Sequence, residues 1–334
     1  LSFLDPFPGL LEALFYADEW PGGLIFNSKH AAFYPLHSNS QAKALQKKID
    51  EKTMFNKEGH SSFIYHLSDL HLGPKKKLKA VSNLLDSLDE CDHYAHSPHS
   101  KQVFITGDLM NSPNTKNMYQ ANSFMTMIRK RYKADITFVL GNHDMVVKGL
   151  SIGGRQRTKV IAYLLGEKIK VIEKDKIVLV KIDSNAGGNL ARGMITRRQL
   201  DQIDSELAGI ENLEDYTIVV LLHHHVFKVS KSDFLKIQWR EKSIFGSIMD
   251  KSKALVDANM FATWLQQRHI KYVLHGHKHV PYFMNKKGTY YISAGSATGG
   301  LKESESHYYS YNVLRYDYMD KKMKTCLIFY DDNK

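Results

Sequence analysis

Between Phe63 and Leu274 short apolar runs alternate with longer segments of helical periodicity, and this alternation limits the possible fold more than any other feature of the chain. The runs at 63–67, 102–106, 136–140, 177–182, 218–222 and 272–274 are rich in β-branched and aromatic residues and have the length of strands. Segments 78–88, 118–132, 155–165, 196–207 and 253–268 read as helices, the fourth capped by Thr196. Buried strands alternating with helices predict a layered α/β domain in which helices cover the sheet faces. After Gly276 the pattern changes. Segments 280–284 and 290–293, then 312–318 and 324–330, are each joined by a polar turn, which predicts antiparallel hairpins.

The first 60 residues have a different composition: an aromatic, acidic stretch to Phe26, then a polar, Lys-rich piece from about Gln41 to Glu58. They are expected to form an appendage, 1–60, packed on a main domain of 61–334, with Leu10, Leu11, Leu14 and Phe15 on one helical face. Formal net charge is +11, and the first 26 residues hold four acids and no Lys or Arg, so the positive surplus lies elsewhere. Such a surplus favours anionic ligands, although apart from Lys75-Lys76-Lys77 the lysines are scattered as on an ordinary solvated surface. No run approaches the roughly 18 to 20 apolar residues of a membrane span. Cys91 and Cys326 are the only cysteines and lack metal-type spacing, so neither a disulfide framework nor a zinc ribbon is indicated. A reduced, cytoplasmic setting is expected; because the chain begins with Leu, an upstream targeting segment stays open. Oligomeric state is not legible.

Five short motifs stand where apolar runs end: Asp69-Leu70-His71, Gly107-Asp108, Gly141-Asn142-His143-Asp144, His223, and Gly276-His277-Lys278-His279. Brought together, they would offer seven ligands to two metal ions: Asp69, His71, Asp108, Asn142, His223, His277 and His279. In extended backbone residues two apart share a side, so Asp69 and His71 are expected to serve one ion together, as are His277 and His279. The glycines before the polar residues permit sharp turns and close packing. A mixed oxygen and nitrogen donor set without thiolate suits manganese, iron or zinc. The four imidazoles must be neutral to bind cations, so activity is expected to fall below about pH 6.5. Leu222 is followed by three histidines. His223 is the expected ligand, His225 the fallback on the same side, and His224 is expected to point away. His66 and His275, beside buried strands, are expected to be hydrogen-bonded core groups.

Taken in that order, the five motifs resemble those of the calcineurin-like metallophosphoesterase superfamily, from Asp69 to His279. The resemblance implies a four-layer αββα sandwich: two mixed sheets flanked by helices. It implies one ion on Asp69, His71, Asp108 and His279, and a second on Asn142, His223 and His277 together with a bridging Asp108. His143 would then act on the substrate's oxygens, with Asp144 orienting its ring.

The chemistry implied is hydrolysis of a phosphoester by a metal-bridging hydroxide. No Asp-Arg-Gly follows Gly107-Asp108, which departs from the protein serine/threonine phosphatases, whereas Asp183-Ser184, Gly193 and Gln199-Leu200 are similar to the cyclic-nucleotide and glycerophosphodiester branch. The expected substrate is a small phosphorylated molecule of cyclic-nucleotide or nucleotide type, cleaved as a phosphodiester or phosphomonoester. Alternatives are a lipid-linked UDP-sugar pyrophosphatase, suggested by Ser68-Asp69-Leu70-His71-Leu72, a DNA nuclease, and a metal-free binding scaffold. Segments 145–158 and 228–252 are expected to be lid loops, with Arg155 and Arg157 available to a substrate phosphate.

Overall fold

The computed structural model describes residues 24–27, 32–35, 61–74, 77–94, 100–147, 150–151, 166–185, 193–227, 255–279, 281–298 and 308–331. Its strands are, in chain order, β1 (Leu24–Asn27), β2 (Ala32–Pro35), β3 (Ser61–Leu67), β4 (Ser100–Thr106), β5 (Asp135–Val139), β6 (Val146–Val147), β7 (Leu150–Ser151) and β8 (Ile169–Ile172). They continue with β9 (Ile177–Lys181), β10 (Thr217–Leu221), β11 (Tyr272–His275), β12 (Pro281–Lys286), β13 (Thr289–Ala294), β14 (Tyr308–Asp317) and β15 (Lys322–Asp331). The helices are α1 (Leu78–Tyr94), α2 (Thr115–Tyr132), α3 (Arg197–Ala208) and α4 (Ala258–Gln267).

One sheet runs β2-β1-β15-β14-β3-β4-β5 and the other β12-β13-β11-β10-β9-β8. Each is mixed. In the first, β3, β4 and β5 are parallel while β14 is antiparallel to β3; in the second, β9, β10, β11 and β13 are parallel between antiparallel edges β8 and β12. The strands are apolar on both faces because each sheet is covered on both. Ile64, Phe104 and Val139 meet Leu179, Val219, Leu221 and Leu274 between the sheets. The alternate residues Phe63, Tyr65, Val103 and Ile105 pack with Leu84 and Leu88 of α1 and Phe124 and Ile128 of α2. On the other outer face, Val178, Val180, Val220 and Val273 pack with Leu200 and Ile203 of α3 and Phe261 and Trp264 of α4. The order of layers is helix, sheet, sheet, helix.

At the amino ends of the parallel strands, buried Asp175 accepts hydrogen bonds from Ser62 Oγ at 2.7 Å, Ser100 Oγ at 2.5 Å and Gln102 Nε2 at 3.1 Å, tying the turn before β9 to β3 and β4. The other ends of the parallel strands carry the five motifs.

Thr196 caps α3, its side chain accepting from Gln199 N, as expected. Three local expectations change. The helix expected from 253 begins at Ala258, after the turn Val256-Asp257. Strand β8 was not foreseen, because as a sheet edge it is only half-buried at Ile169, Lys170 and Val171 and shows no apolar run. Strands β1 and β2 extend the first sheet through parallel pairing of β1 with β15. The expected helix 155–165 and the patch from Leu10 to Phe15 lie outside the described residues. Among the described residues, no helix is long and apolar enough to cross a membrane.

Candidate metal centre

The five motifs follow β3, β4, β5, β10 and β11, so they converge at the carboxyl ends of the parallel strands of both sheets, where open α/β sheets place their ligands. Pairing continues past the strand tips. Asp69 N donates to Gly107 O at 3.0 Å, His71 N to Asp108 O at 2.9 Å, and Gly276 N to His223 O at 3.1 Å. The loop backbone is not extended, contrary to the period-two argument: Asp69, His71, Asp108, His277 and His279 have φ of 53°, 44°, 49°, 78° and 55°. Left-handed backbone at non-glycine residues costs energy and tends to gather at functional sites. Here it takes these side chains out of register with the sheet and turns them towards one another. Gly107, with φ +93°, leaves room for the His223 ring, whose Nδ1 a Cβ would overlap; at Gly276 a Cβ would lie 2.5 Å from Asp69 Oδ2.

Two groups of donor atoms result. In the first, ligand atoms of Asp69, His71, Asp108 and His279 all lie within 4.8 Å of one another. His71 Nε2 and His279 Nε2 are 3.1 Å apart, and His279 Nε2 is 3.2 Å from Asp69 Oδ1. In the second, Asn142 Oδ1, His223 Nε2 and His277 Nδ1 are mutually 3.1 Å apart. Asp108 Oδ2 stands between the groups, 3.8 Å from His71 Nε2 and 3.5 Å from His223 Nε2.

The donor set fits cations. Asp69 Oδ2 is taken by Ser68 Oγ at 2.7 Å and His277 N at 2.9 Å, while among the described residues buried Oδ1 finds no hydrogen-bond partner and faces the first group. His223 Nδ1 donates to Thr106 O at 2.8 Å, which fixes its tautomer and leaves Nε2 for the second group. Imidazole nitrogens brought to 3.1 Å of each other in both groups are electron-pair donors aimed at common points.

The charges agree. For Asp108, burial acts upward but the imidazoles of His223 and His71 hold its carboxyl well below the usual range; burial likewise acts on Asp69, which His279 and His223 nevertheless lower. Burial lowers His223, but Asp108 and then Asp69 and Thr106 O outweigh it and raise the ring to about 9. Burial dominates at His71, lowered to about 4, and at His277, lowered well below its ordinary value.

His143 is exposed beside this centre, its ring edge-on to His71 at 4.8 Å and its Nδ1 3.2 Å from Asn111 O. The expected partnership with Asp144 is not what the structure has. Asp144 is fully buried and accepts from backbone N–H groups of Leu109 at 3.2 Å, Met110 at 2.8 Å and Gly141 at 2.9 Å. It clips the loop carrying Asp108 to the loop carrying Asn142, and the Asn111 carbonyl faces the His143 ring in its place. Burial and the charge of Asp108 push the Asp144 carboxyl up to about 7 against the pull of those N–H groups.

Of the three consecutive histidines, His223 reaches the donor groups. His225, the fallback, instead stacks on His277 at 5.8 Å. His224 does not point away: it is buried against the rings of His277 and His223, at 4.3 and 5.1 Å, and its Nδ1 lies 2.8 Å from Ser184 Oγ. His66 and His275 are buried and hydrogen-bonded, to Thr106 Oγ1 and Tyr282 OH, as expected. Ser68 and Thr106 hold the ligands Asp69 and His223, and Ser184 holds His224; Ser68 and Ser184 stand within quoted motifs, whereas Thr106 has no sequence signal of its own. Arg155 and Arg157 lie outside the described residues, as do most of segments 145–158 and 228–252.

A family model for calcineurin-like phosphoesterases matches residues 64–281. No curated protein matches the chain. Similar solved structures include the phosphopantetheinyl hydrolase of Mycobacterium tuberculosis, with 12% identity, 80% of this chain and 96% of that chain covered, and a TM-score of 0.45. Others are a protein assigned as a 5′-nucleotidase from Staphylococcus aureus, with 14% identity, 82% and 55% coverage and a TM-score of 0.44, and the Plasmodium inner-membrane-complex anchor GAP50, with 11%, 82%, 85% and 0.47. The chain thus spans about half the length of the nucleotidase. Matched over more than half of its length by the family model, and folded as two mixed sheets flanked by helices, the chain belongs to the calcineurin-like phosphoesterase family.

Proposed function

We propose that the protein is a hydrolase of small phosphoesters, with one transition-metal ion held by Asp69, His71, Asp108 and His279 and a second by Asp108, Asn142, His223 and His277. The observation that carries this reading is the placement of Asp108 Oδ2, within 3.8 Å of an imidazole nitrogen of each donor group. When bound, such an ion pair lowers the pKa of a shared water and draws the non-bridging oxygens of a phosphoryl group. Asp69 and Asp108 offset only part of the charge of two divalent ions, which leaves a centre that attracts anions.

The protein's own part is positioning and proton delivery. Asp108 Oδ1 accepts from His143 N at 2.8 Å, which ties the His143 backbone to the centre. With Nδ1–H donated to Asn111 O, the opposite nitrogen of the exposed His143 ring is left to face substrate. As an imidazolium it hydrogen-bonds a phosphoryl oxygen and gives its Nε2 proton to the departing oxygen. The residues after Asp108 are Leu109-Met110-Asn111, which supply no arginine for a phosphomonoester dianion and so favour a diester.

The test is hydrolysis of bis-p-nitrophenyl phosphate against p-nitrophenyl phosphate by manganese-loaded protein. Turnover of the diester in excess of the monoester is expected. A protein carrying two ions that cleaves neither compound would refute the hydrolase reading.

A further inference from the structure

His224 and His225 are buried imidazoles outside both donor groups, and both lie against a ring that belongs to one. The His277 ring has His224 4.3 Å away and tilted by 46°, and His225 stacked at 5.8 Å with 19° between planes. His224 is itself held by Ser184 and packed against Gly193. Its Nδ1 lies 2.8 Å from Ser184 Oγ, its backbone N–H donates to the same oxygen at 3.3 Å, and Gly193 lies so close that a Cβ there would meet the His224 ring at 2.5 Å. The same ring lies edge-on to His223 at 5.1 Å. His224 therefore touches both imidazoles of the second donor group and neither of the first.

Packing alone does not account for histidine here. Among the described residues, the buried His224 Nε2 and His225 Nδ1 find no hydrogen-bond partner, nor does His277 Nε2. A buried polar atom left unsatisfied is destabilising, whereas a phenylalanine would fill similar space without that penalty. Departures of this kind from good packing are expected at functional positions.

We propose that Ser184 and His224 are positioning residues for the second ion: Ser184 fixes the His224 ring, which with His225 sets the angle at which His277 Nδ1 meets His223 Nε2 and Asn142 Oδ1. The assignment rests on the dinuclear reading above. It predicts that the two ions respond differently to the same substitution, because the His224 ring lies against His223 and His277 of the second group, whereas the first group shares with them only the loop that carries both His277 and His279.

The test uses the full chain, stripped of metal and titrated with manganese, for the wild type, Ser184→Ala and His224→Phe. Calorimetry reads affinity and stoichiometry, and electron paramagnetic resonance distinguishes a spin-coupled manganese pair from a single ion. Both variants should bind the first ion as the wild type does and the second about 10- to 100-fold more weakly, with a mononuclear spectrum where the wild type shows a coupled pair. The metal-free melting temperature of His224→Phe should be unchanged or higher. Unaltered affinity for the second ion in both variants, or equal weakening of both ions with a lowered melting temperature, would overturn the positioning role. A wild type that never takes a second ion would refute the dinuclear reading instead.

Discussion

Asp108→Asn should remove about one proton from those released when the protein binds manganese. In the metal-free protein His223 is raised to about 9: burial pulls it down, but the Asp108 carboxylate, 3.5 Å from Nε2, and then Asp69 and Thr106 O outweigh it. His71 and His277 go the other way, burial lowering them to about 4 and well below the ordinary value, so both are neutral at pH 7.5. A cation entering the second group at that pH must displace the proton on His223 Nε2. A unit charge at 3.5 Å in an effective dielectric of about 20 is worth roughly 5 kcal/mol. Without the Asp108 charge the main upward influence on His223 is gone, burial prevails, and the ring should no longer carry that proton. Calorimetric titrations in buffers of different ionisation enthalpy read the released protons as a slope, which should drop by about one in the variant, with weaker binding. Equal slopes would refute the electrostatic account of His223. The same reasoning predicts that manganese affinity climbs as pH rises from 6.5 towards 9, because His223 sheds its proton across that window.

Three further outcomes follow. His143→Ala should retain both ions by metal analysis and lose about 10²- to 10⁴-fold in kcat on the diester; normal turnover would take His143 out of the reaction. Asp144→Ala strands three backbone N–H groups and should lower stability by about 2–4 kcal/mol in denaturant titration. It should leave the shape of the pH–rate profile unchanged, since the carboxylate does not meet the His143 ring; a shifted profile would restore the orienting role. His66 is buried neutral, burial lowering it to about 3, so the native state takes up its proton far later than the unfolded chain. Its contribution is complete above about pH 6.5 and is lost as pH falls towards 3, at up to about 1.4 kcal/mol per pH unit. His66→Gln should flatten acid unfolding over that range, and an identical pH dependence in the variant would exclude His66 as a source.

Much of the fold was legible because its central strands, such as β3, β9, β10 and β11, are almost wholly buried and the parallel ones follow one another through helices. Runs such as 218–222 have no polar face to hide them, and each ends in the residues that matter. What escaped is what burial does not mark. Strand β8 is a half-exposed edge, and β1 joins the sheet through β15, some 300 residues along the chain. At the centre, the motifs were visible as residue types at strand tips, but their partnerships were not. Asp144 sits next to His143 in sequence and yet bonds the loop after β4, because a buried carboxylate is satisfied most cheaply by the three N–H groups that the tight turns bring to it.

From the chain's order of residues alone came the layered alternation, the identity of the candidate ligands and the glycines that let them crowd together, since these depend on local pattern and side-chain chemistry. Only the tertiary structure decided which nitrogen faces which donor group, that Asp108 stands between the groups, and that His224 and His225 both lie against His277. Those outcomes depend on atoms more than 50 residues apart meeting within about 3 to 6 Å, on left-handed turns after the strands, and on which face of each loop is left for solvent.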